Sequence, residues 1–311
     1  MPYFSLIVAT INRTEHHLNL IKSLKEQSFK DFEIIIVDQN SHSRLKKQLQ
    51  SQLSSYNLTY LHVRHSMGLS AARNYGLKNA SGQVIAFPDD DCWYQKNTLK
   101  KVKAHFDEMP TLQGVTGLVT DPSGDYSAGG FMLKKQCVQI TRDNAWMTTN
   151  SSGIFLKKAP VNYVGNFDEA IGLGAPRFIS GEETDLVLRI CELGSPVLYD
   201  ADVNVFHEAF DGSYDKKERN RRHGYGLGFG YILRKNEYTL SDLAFYSSIH
   251  FAKGAFLLLK LQPRRAWSHI LQGWGRIQGY FQYPRYSQLY KLSPATGQTE
   301  RKHFRRRAAI G

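Results

Sequence analysis

Val84-Ile85-Ala86-Phe87-Pro88-Asp89-Asp90-Asp91 is the stretch on which the reading turns. Four apolar residues make a short strand fit for burial, and three acids follow at its carboxyl end. Adjacent carboxylates repel one another, so stability alone gives little reason to place them where a buried strand emerges. A divalent cation removes that repulsion; Mg2+ and Mn2+ prefer carboxylate oxygens and usually bring phosphates with them. A plainer explanation is a polar turn capping a helix over 95–107, since Asp is common at turns and N-caps. What precedes the triplet decides between the two.

Upstream, apolar runs at 3–9, 32–38, 58–63 and 84–87 read as strands. Helical spacing alternates with them at 14–27, 43–54, 69–79 and 95–107, with Leu18, Ile21 and Leu24 on one side of the first helix. The class is therefore α/β, with a mostly parallel central sheet covered by helices on both faces. Ligands of such sheets bind at the carboxyl ends of the strands, where Asp38 and the triplet fall.

From Gln113 the pattern changes. Strands are expected at 114–120 and 153–156, a mobile loop at 121–130 and a glycine-punctuated loop at 164–174. A helix follows at 182–193, then short strands at 196–199 and 203–207. Beyond Glu208 the chain turns basic and aromatic, with helical stretches at 240–261 and 265–282. The expected division is a domain over 1–210, split near 112 where the pattern changes, and a basic helical extension over 211–311.

With 311 residues the chain can bury a substantial core. Cys92, Cys137 and Cys191 are odd in number and widely spaced, which argues against a disulfide framework or zinc knuckle and suits a reducing cytoplasm. The N-terminus enters a strand directly, with no basic signal-peptide region. The apolar run 251–261 is interrupted by Lys253 and Lys260 and is too short to span a bilayer. Net charge is +12, and residues 212–311 hold 19 of the basic and only 5 of the acidic residues. Such a block implies an anionic surface.

Three further segments bear on chemistry. Strand one ends in Val8-Ala9-Thr10-Ile11-Asn12-Arg13-Thr14, which either covers a nucleotide or, with Asn12 and Glu15, forms a capping box. Strand two ends in Asp38-Gln39-Asn40, where Asp38 can accept from a base or ribose, or make an Asx turn. Gly68-Leu69-Ser70-Ala71-Ala72-Arg73-Asn74-Tyr75-Gly76 has alanines that permit close helix–sheet packing. Its Arg73 is a planar fork suited to phosphate or a base edge, or else an exposed helical arginine.

Taken in order and spacing, these segments and the triplet resemble glycosyltransferase family 2, inverting nucleotide-sugar transferases with the GT-A fold, over about Ser5 to His207. The resemblance implies that Ala9, Thr10 and Asn12 contact the nucleotide and Asp38 its base, while Arg73 approaches base or diphosphate. Asp89 or Asp90 would touch ribose, and Asp91 would ligate Mn2+ or Mg2+. It further implies that His207 completes the metal or diphosphate site, though a surface histidine at a strand end reads equally well. The donor implied is a nucleoside-diphosphate sugar, a UDP-sugar foremost.

Ser180-Gly181-Glu182-Glu183-Thr184-Asp185-Leu186-Val187-Leu188-Arg189 looks like the family's acceptor-side motif. The family's catalytic base falls on Glu183, with Glu182 and Asp185 as alternatives; here Glu stands where Asp is usual. Glu183 shares a helix face with Leu186 and Ile190. The same residues also read as a Ser180–Glu183 capping box and an Asp185–Arg189 ion pair. The expected activity is inverting sugar transfer to a glycan or lipid-linked acceptor in cell-surface or exopolysaccharide synthesis, at the inner face of the cell membrane. A non-catalytic nucleotide-sugar-binding or membrane-scaffold protein on the same fold is the rival. A nucleotidyltransferase would want a glycine-rich loop that Ala9–Thr14 lacks, and nucleic acid is not expected because no binding motif accompanies the charge. The C-terminal helices, with Trp267, Trp274, Phe281, Arg264 and Arg265, suit either a membrane interface or packing on the catalytic domain.

Overall fold

The computed structural model describes residues 1–13, 17–43, 45, 46, 49, 56–124, 136–208 and 214–290. Most of the expected helix at 43–54, the loop residues 125–130 and Glu15 lie outside them. By contacts the chain forms two compact units, Met1–Val161 with Leu186–Asp211, and Asn162–Asp185 with Gly212–Gly311. Segment 162–185, which the sequence places with the first domain, thus groups with the C-terminal helices.

The first unit is built on one sheet in the order β3-β2-β1-β4-β8-β6-β9-β5, with β7 also on β9. Its first half is parallel: β1 (Phe4–Thr10) lies between β2 (Phe32–Asp38) and β4 (Val84–Ala86), and β3 (Leu58–His62) follows β2. All seven residues of β2 are buried, as expected of a strand covered on both faces. Register sets Thr10 beside Asp38 and Asp38 beside His62, so three polar strand ends share one edge. Flanking helices are α1 (His17–Lys25), α2 (Leu69–Leu77) and α3 (Thr98–Glu108). On α2 it is Ala72, fully buried, that meets the interior; Ala71 is only half-buried.

The second half of the sheet is mixed rather than parallel. β8 (Ile154–Lys157) runs antiparallel to both β4 and β6 (Gly114–Thr120), and β5 (Cys92–Tyr94) and β7 (Cys137–Gln139) run antiparallel to β9 (Val197–His207). Strand direction depends on the crossover, which apolar runs do not encode. The two strands expected at 196–199 and 203–207 are one strand, β9. The polar Asp200-Ala201-Asp202, which has the composition of a turn, is a bulge: Gly117 pairs with Asp200 and Leu118 with Asn204. A Cβ at Gly117 would stand 2.1 Å from the Val203 carbonyl oxygen, so the bulge needs a glycine there.

Two short helices, α4 (Ala145–Thr148) and α5 (Lys158–Tyr163), precede α6 (Glu182–Cys191). The second unit holds three long helices: α7 (Lys216–Lys235), α8 (Leu240–Leu259) and α9 (Pro263–Tyr290). Helix α7 is not expected from sequence, because Gly224, Gly226, Gly228 and Gly230 each weaken a helix by about 1 kcal/mol relative to Ala. Tertiary packing overrides that preference. Added Cβ atoms at Gly226 and Gly230 would lie 2.2 and 1.9 Å from the Gln272 and Arg276 carbonyl oxygens. Gly275 and Gly279 meet α7 in the same way, 2.5 and 2.0 Å from the His223 and Leu227 oxygens. Glycines four apart on both helices let two backbones touch. Segment 162–185 joins this unit through Phe178, whose ring stacks on Tyr231 at 4.2 Å.

Candidate active site

At the strand-end edge, Asp38 is fully buried. Its Oδ1 accepts from the Asn40 backbone N–H (2.9 Å) and Nδ2 (2.6 Å), which is the Asx turn, and its Oδ2 accepts from the Tyr60 hydroxyl. Asn40 also ties two loops together, because its Oδ1 accepts from the Asn12 N–H at 2.6 Å. Asn12 is exposed with φ of 57°, a left-handed conformation that Asn tolerates better than most residues. Ala9 is half-buried, and Thr10 is buried with its Oγ1 donating to Asp90 Oδ2 at 2.6 Å. Nothing in the sequence around Tyr60 marks it for this site. Its hydroxyl pKa is pushed up by burial and by the hydrogen bond to Asp38.

The triplet does not cap α3. That helix starts at Thr98 with Asn97 as its N-cap residue, and β5 intervenes. Nor is Arg73 an exposed helical arginine: it is 1% exposed and donates from Nη2 to Asp89 Oδ1 at 3.0 Å. The other Asp89 oxygen accepts from the Ser151 and Ser152 hydroxyls at 2.8 and 2.7 Å. Asp90 and Asp91 share a cation that the sequence does not identify, as Arg13 Nη1 lies 2.6 Å from both Asp90 Oδ1 and Asp91 Oδ2. Asp91 Oδ1 faces His207 Nε2 at 3.1 Å. The pairing of Cys92 with His207 in the β5–β9 ladder brings them together.

Mutual repulsion is therefore relieved unequally. Burial, with Asp91 and Asp89 adding to it, outweighs the Thr10 bond and the Arg13 charge and raises the Asp90 carboxyl. Burial would also raise Asp91, but the His207 hydrogen bond and charge, joined by Arg13, hold it well below the usual carboxylate range. For His207, burial pulls the imidazole down and the Asp91 bond pushes it harder the other way, up to about 9.

Asp91 and His207 are of the residue types that hold a hard divalent ion, a carboxylate beside an imidazole, and the two facing atoms are 3.1 Å apart, within reach of one ion. The His207 Nδ1–H donates to the Glu208 carbonyl at 2.8 Å, leaving Nε2 as the nitrogen that faces Asp91. Ligation requires Nε2 to release its proton. Among the described residues no three His, Cys, Asp or Glu side chains form a ready-made cluster. Two protein ligands plus phosphate oxygens and water is the ordinary arrangement for Mg2+ or Mn2+ bound with a nucleotide.

The acceptor-side motif opens α6. Gly181 (φ 86°), not Ser180, stands at the N-cap: its carbonyl accepts the first helical bond from the Asp185 N–H at 2.9 Å. Ser180 instead donates its hydroxyl to the Tyr225 carbonyl at 3.1 Å. Asp185 is fully buried and accepts from Lys235 Nζ (2.9 Å) and Asn236 Nδ2 (3.2 Å). Glu182 is buried too, whereas Glu183 is half-buried in the first turn, where the helix dipole favours an anion.

Comparison with known proteins finds the Glycosyl transferase family 2 model matching residues 5–159. The GalNAc(5)-diNAcBac-PP-undecaprenol beta-1,3-glucosyltransferase of Campylobacter jejuni is 40% identical over 93 residues, 29% of this chain and 30% of its own. Poly(ribitol-phosphate) beta-N-acetylglucosaminyltransferase TarS of Staphylococcus aureus is 33% identical over 126 residues, 38% of this chain and 22% of its own. The matched stretches thus span less than a third of either relative. Solved structures of TarS 1–349 in complex with UDP-GlcNAc (TM-score 0.54, 17% identity, 91% of each chain) and of the mannosyltransferase PcManGT from Pyrobaculum calidifontis in complex with GDP-Man and Mn2+ (TM-score 0.59, 15% identity, 90% of this chain and 87% of that one) share the GT-A fold.

Proposed function

Because this chain belongs to glycosyltransferase family 2, we infer that it transfers a sugar from a nucleoside-diphosphate donor to a hydroxyl of a glycan or lipid-linked acceptor, inverting the anomeric centre. The observation that carries this reading is the acid triplet at the strand-end edge, with Thr10, Arg73 and His207 bonded to it. Asp89 and Asp90 serve the ribose side, Asp38 and Tyr60 the base, and Ala9, Thr10 and Asn12 line the nucleotide. Asp91 and His207 would hold Mn2+ or Mg2+, which when bound neutralises charge developing on the leaving diphosphate. Glu183 takes the proton of the attacking hydroxyl as the nucleoside diphosphate leaves from the opposite face, and a single displacement inverts configuration.

The names of the comparison proteins support a nucleotide-sugar donor, and UDP-GlcNAc in TarS supports a UDP-sugar. The undecaprenol-linked substrate named for the Campylobacter relative supports a lipid-linked acceptor. Thermal unfolding with UDP- and GDP-sugars, each with and without Mn2+, tests the donor. One of them is expected to stabilise the protein by about 2.7 kcal/mol at a hundredfold excess over its Kd, and only with Mn2+. No stabilisation by any nucleotide sugar sinks the reading, while stabilisation without turnover favours the non-catalytic rival.

Work at the inner face of the cell membrane, in polysaccharide synthesis, is part of the same proposal. No helix among the described residues is long and apolar enough to cross a membrane. Helix α8 instead carries two apolar faces. Leu243, Gly254 and Leu257 are buried on one, while Phe245, Ile249, Phe256 and Leu259 are exposed on the other, within an arc of about 80° at 100° per residue. Trp267, Trp274 and Phe281 are exposed at seven-residue spacing on α9, and Lys253, Lys260, Arg264 and Arg265 are exposed around the α8–α9 turn. Exposed apolar stripes beside cations suit an anionic bilayer interface. The protein is expected to float with vesicles containing anionic lipid at low salt, and less at high salt. Phe256→Glu combined with Leu259→Glu should abolish flotation, and a native protein that stays at the bottom of the gradient overturns this part.

A further inference from the structure

Arg13 follows β1 in a loop whose other residues line the nucleotide, and the reaction above gives it no part. One of its nitrogens, Nη1, sits 2.6 Å from an oxygen of Asp90 and 2.6 Å from an oxygen of Asp91. Thr10 takes the second Asp90 oxygen and His207 faces the second Asp91 oxygen. All four oxygens of the pair are thus engaged, two of them by a single guanidinium nitrogen. The acids are enclosed, with side chains 9% and 14% exposed, whereas the Arg13 side chain is 42% exposed. The cation therefore lies on the solvent side of the acids it neutralises and can leave without disturbing the core.

A divalent ion on Asp91 competes with Arg13 for the same carboxylate. A dication held by this carboxylate would repel a guanidinium hydrogen-bonded to it, and like charges this close in a half-buried site are poorly screened. We propose that Arg13 is an exchangeable counter-cation. It holds Asp90 and Asp91 together until the metal takes Asp91, and then turns its planar fork to the donor's diphosphate, the anion that arrives with the metal. This inference rests on the metal and donor reading above. Its consequence is coupling between the two ligands. Metal alone must displace Arg13 into solvent and binds weakly; metal with donor gives the guanidinium a new anionic partner and binds tightly. The apparent affinity for metal alone is reduced by the fraction of protein in which Arg13 has let go.

The test is Mn2+ binding without nucleotide, followed by the electron paramagnetic resonance of free Mn2+, on native protein, Arg13→Ala, Arg13→Gln and Asp91→Asn. Both Arg13 variants are expected to bind Mn2+ about tenfold more tightly than native protein. In saturating Mn2+ they are expected to bind UDP about tenfold more weakly. Opposite signs are the signature, since an arginine that only supports the loop would weaken both. Arg13→Gln keeps a neutral donor on one carboxylate and serves if Arg13→Ala does not fold. Mn2+ affinity in the variants equal to or weaker than native overturns the exchange while leaving the metal site intact. Unchanged UDP affinity overturns the diphosphate half. Absence of Mn2+ binding in native protein and both Arg13 variants removes the metal reading, and this inference with it.

Discussion

Glu183→Gln is expected to cut sugar transfer by about 10²–10⁴-fold, the usual worth of a general base, with donor binding nearly unchanged. The amide keeps the shape of the side chain but cannot take a proton from an acceptor hydroxyl. The three acids of α6 differ in how well their surroundings suit that task. Asp185 is fully buried and bonded to Lys235 and Asn236. Both of its oxygens are thereby engaged, Oδ2 by the Lys235 ammonium and Oδ1 by the Asn236 amide. Glu182 is buried, and Glu183 is the half-buried member, in the first turn of the helix. Asp185→Asn is accordingly expected to act on stability, because it leaves Lys235, also bonded to Asp168 at 2.5 Å, with one anionic partner fewer. Turnover measured as UDP release with acceptor, beside donor titration by calorimetry, separates the two effects. A Glu183→Gln protein that keeps most of its turnover moves the base elsewhere.

Asp91→Asn is expected to lower donor affinity in Mn2+ to the level measured without metal. Loss of partners one shell out from a metal costs about 10–100-fold in affinity, so loss of a ligand should cost about 100-fold or more. The same change removes the anion facing His207 and Arg13, the groups that hold this carboxyl well below the usual range. Donor titrations with and without Mn2+ measure it directly. A single donor affinity for native protein under both conditions sinks the metal assignment of Asp91.

Much of the donor half is legible in the amino-acid sequence. β1, β2, β4 and β6 fall within a residue or two of their apolar runs, because a strand covered on both faces is largely apolar, and half-buried β3 does so too. The acids at the ends of β2 and β4 are legible for the same reason, as a charge that closes a buried run stands out. Tyr60, Ser151, Ser152 and Arg13 are not. Each acts on an acid 22 to 78 residues away, and no local pattern marks a hydroxyl or guanidinium for such a partner. Helix α7 is hidden because its four glycines argue against a helix until the glycines of α9 are set against them. The continuity of β9 is hidden because a bulge and a turn use the same polar residues.

Class, strand positions through the first half and the edge where the acids gather follow from the amino-acid sequence alone. Periodicity and apolar runs are short-range properties, and burial of a parallel strand leaves few alternatives. The partner of each carboxylate oxygen is decided only by the tertiary structure. Hydrogen bonds and ion pairs are directional and reach about 3 Å, so the sheet register and the β5–β9 ladder have to bring Thr10, Arg13, Arg73 and His207 to the triplet. That arrangement turns three mutually repelling acids into one bound to an arginine and two serines, one raised by burial, and one held ionised beside a histidine.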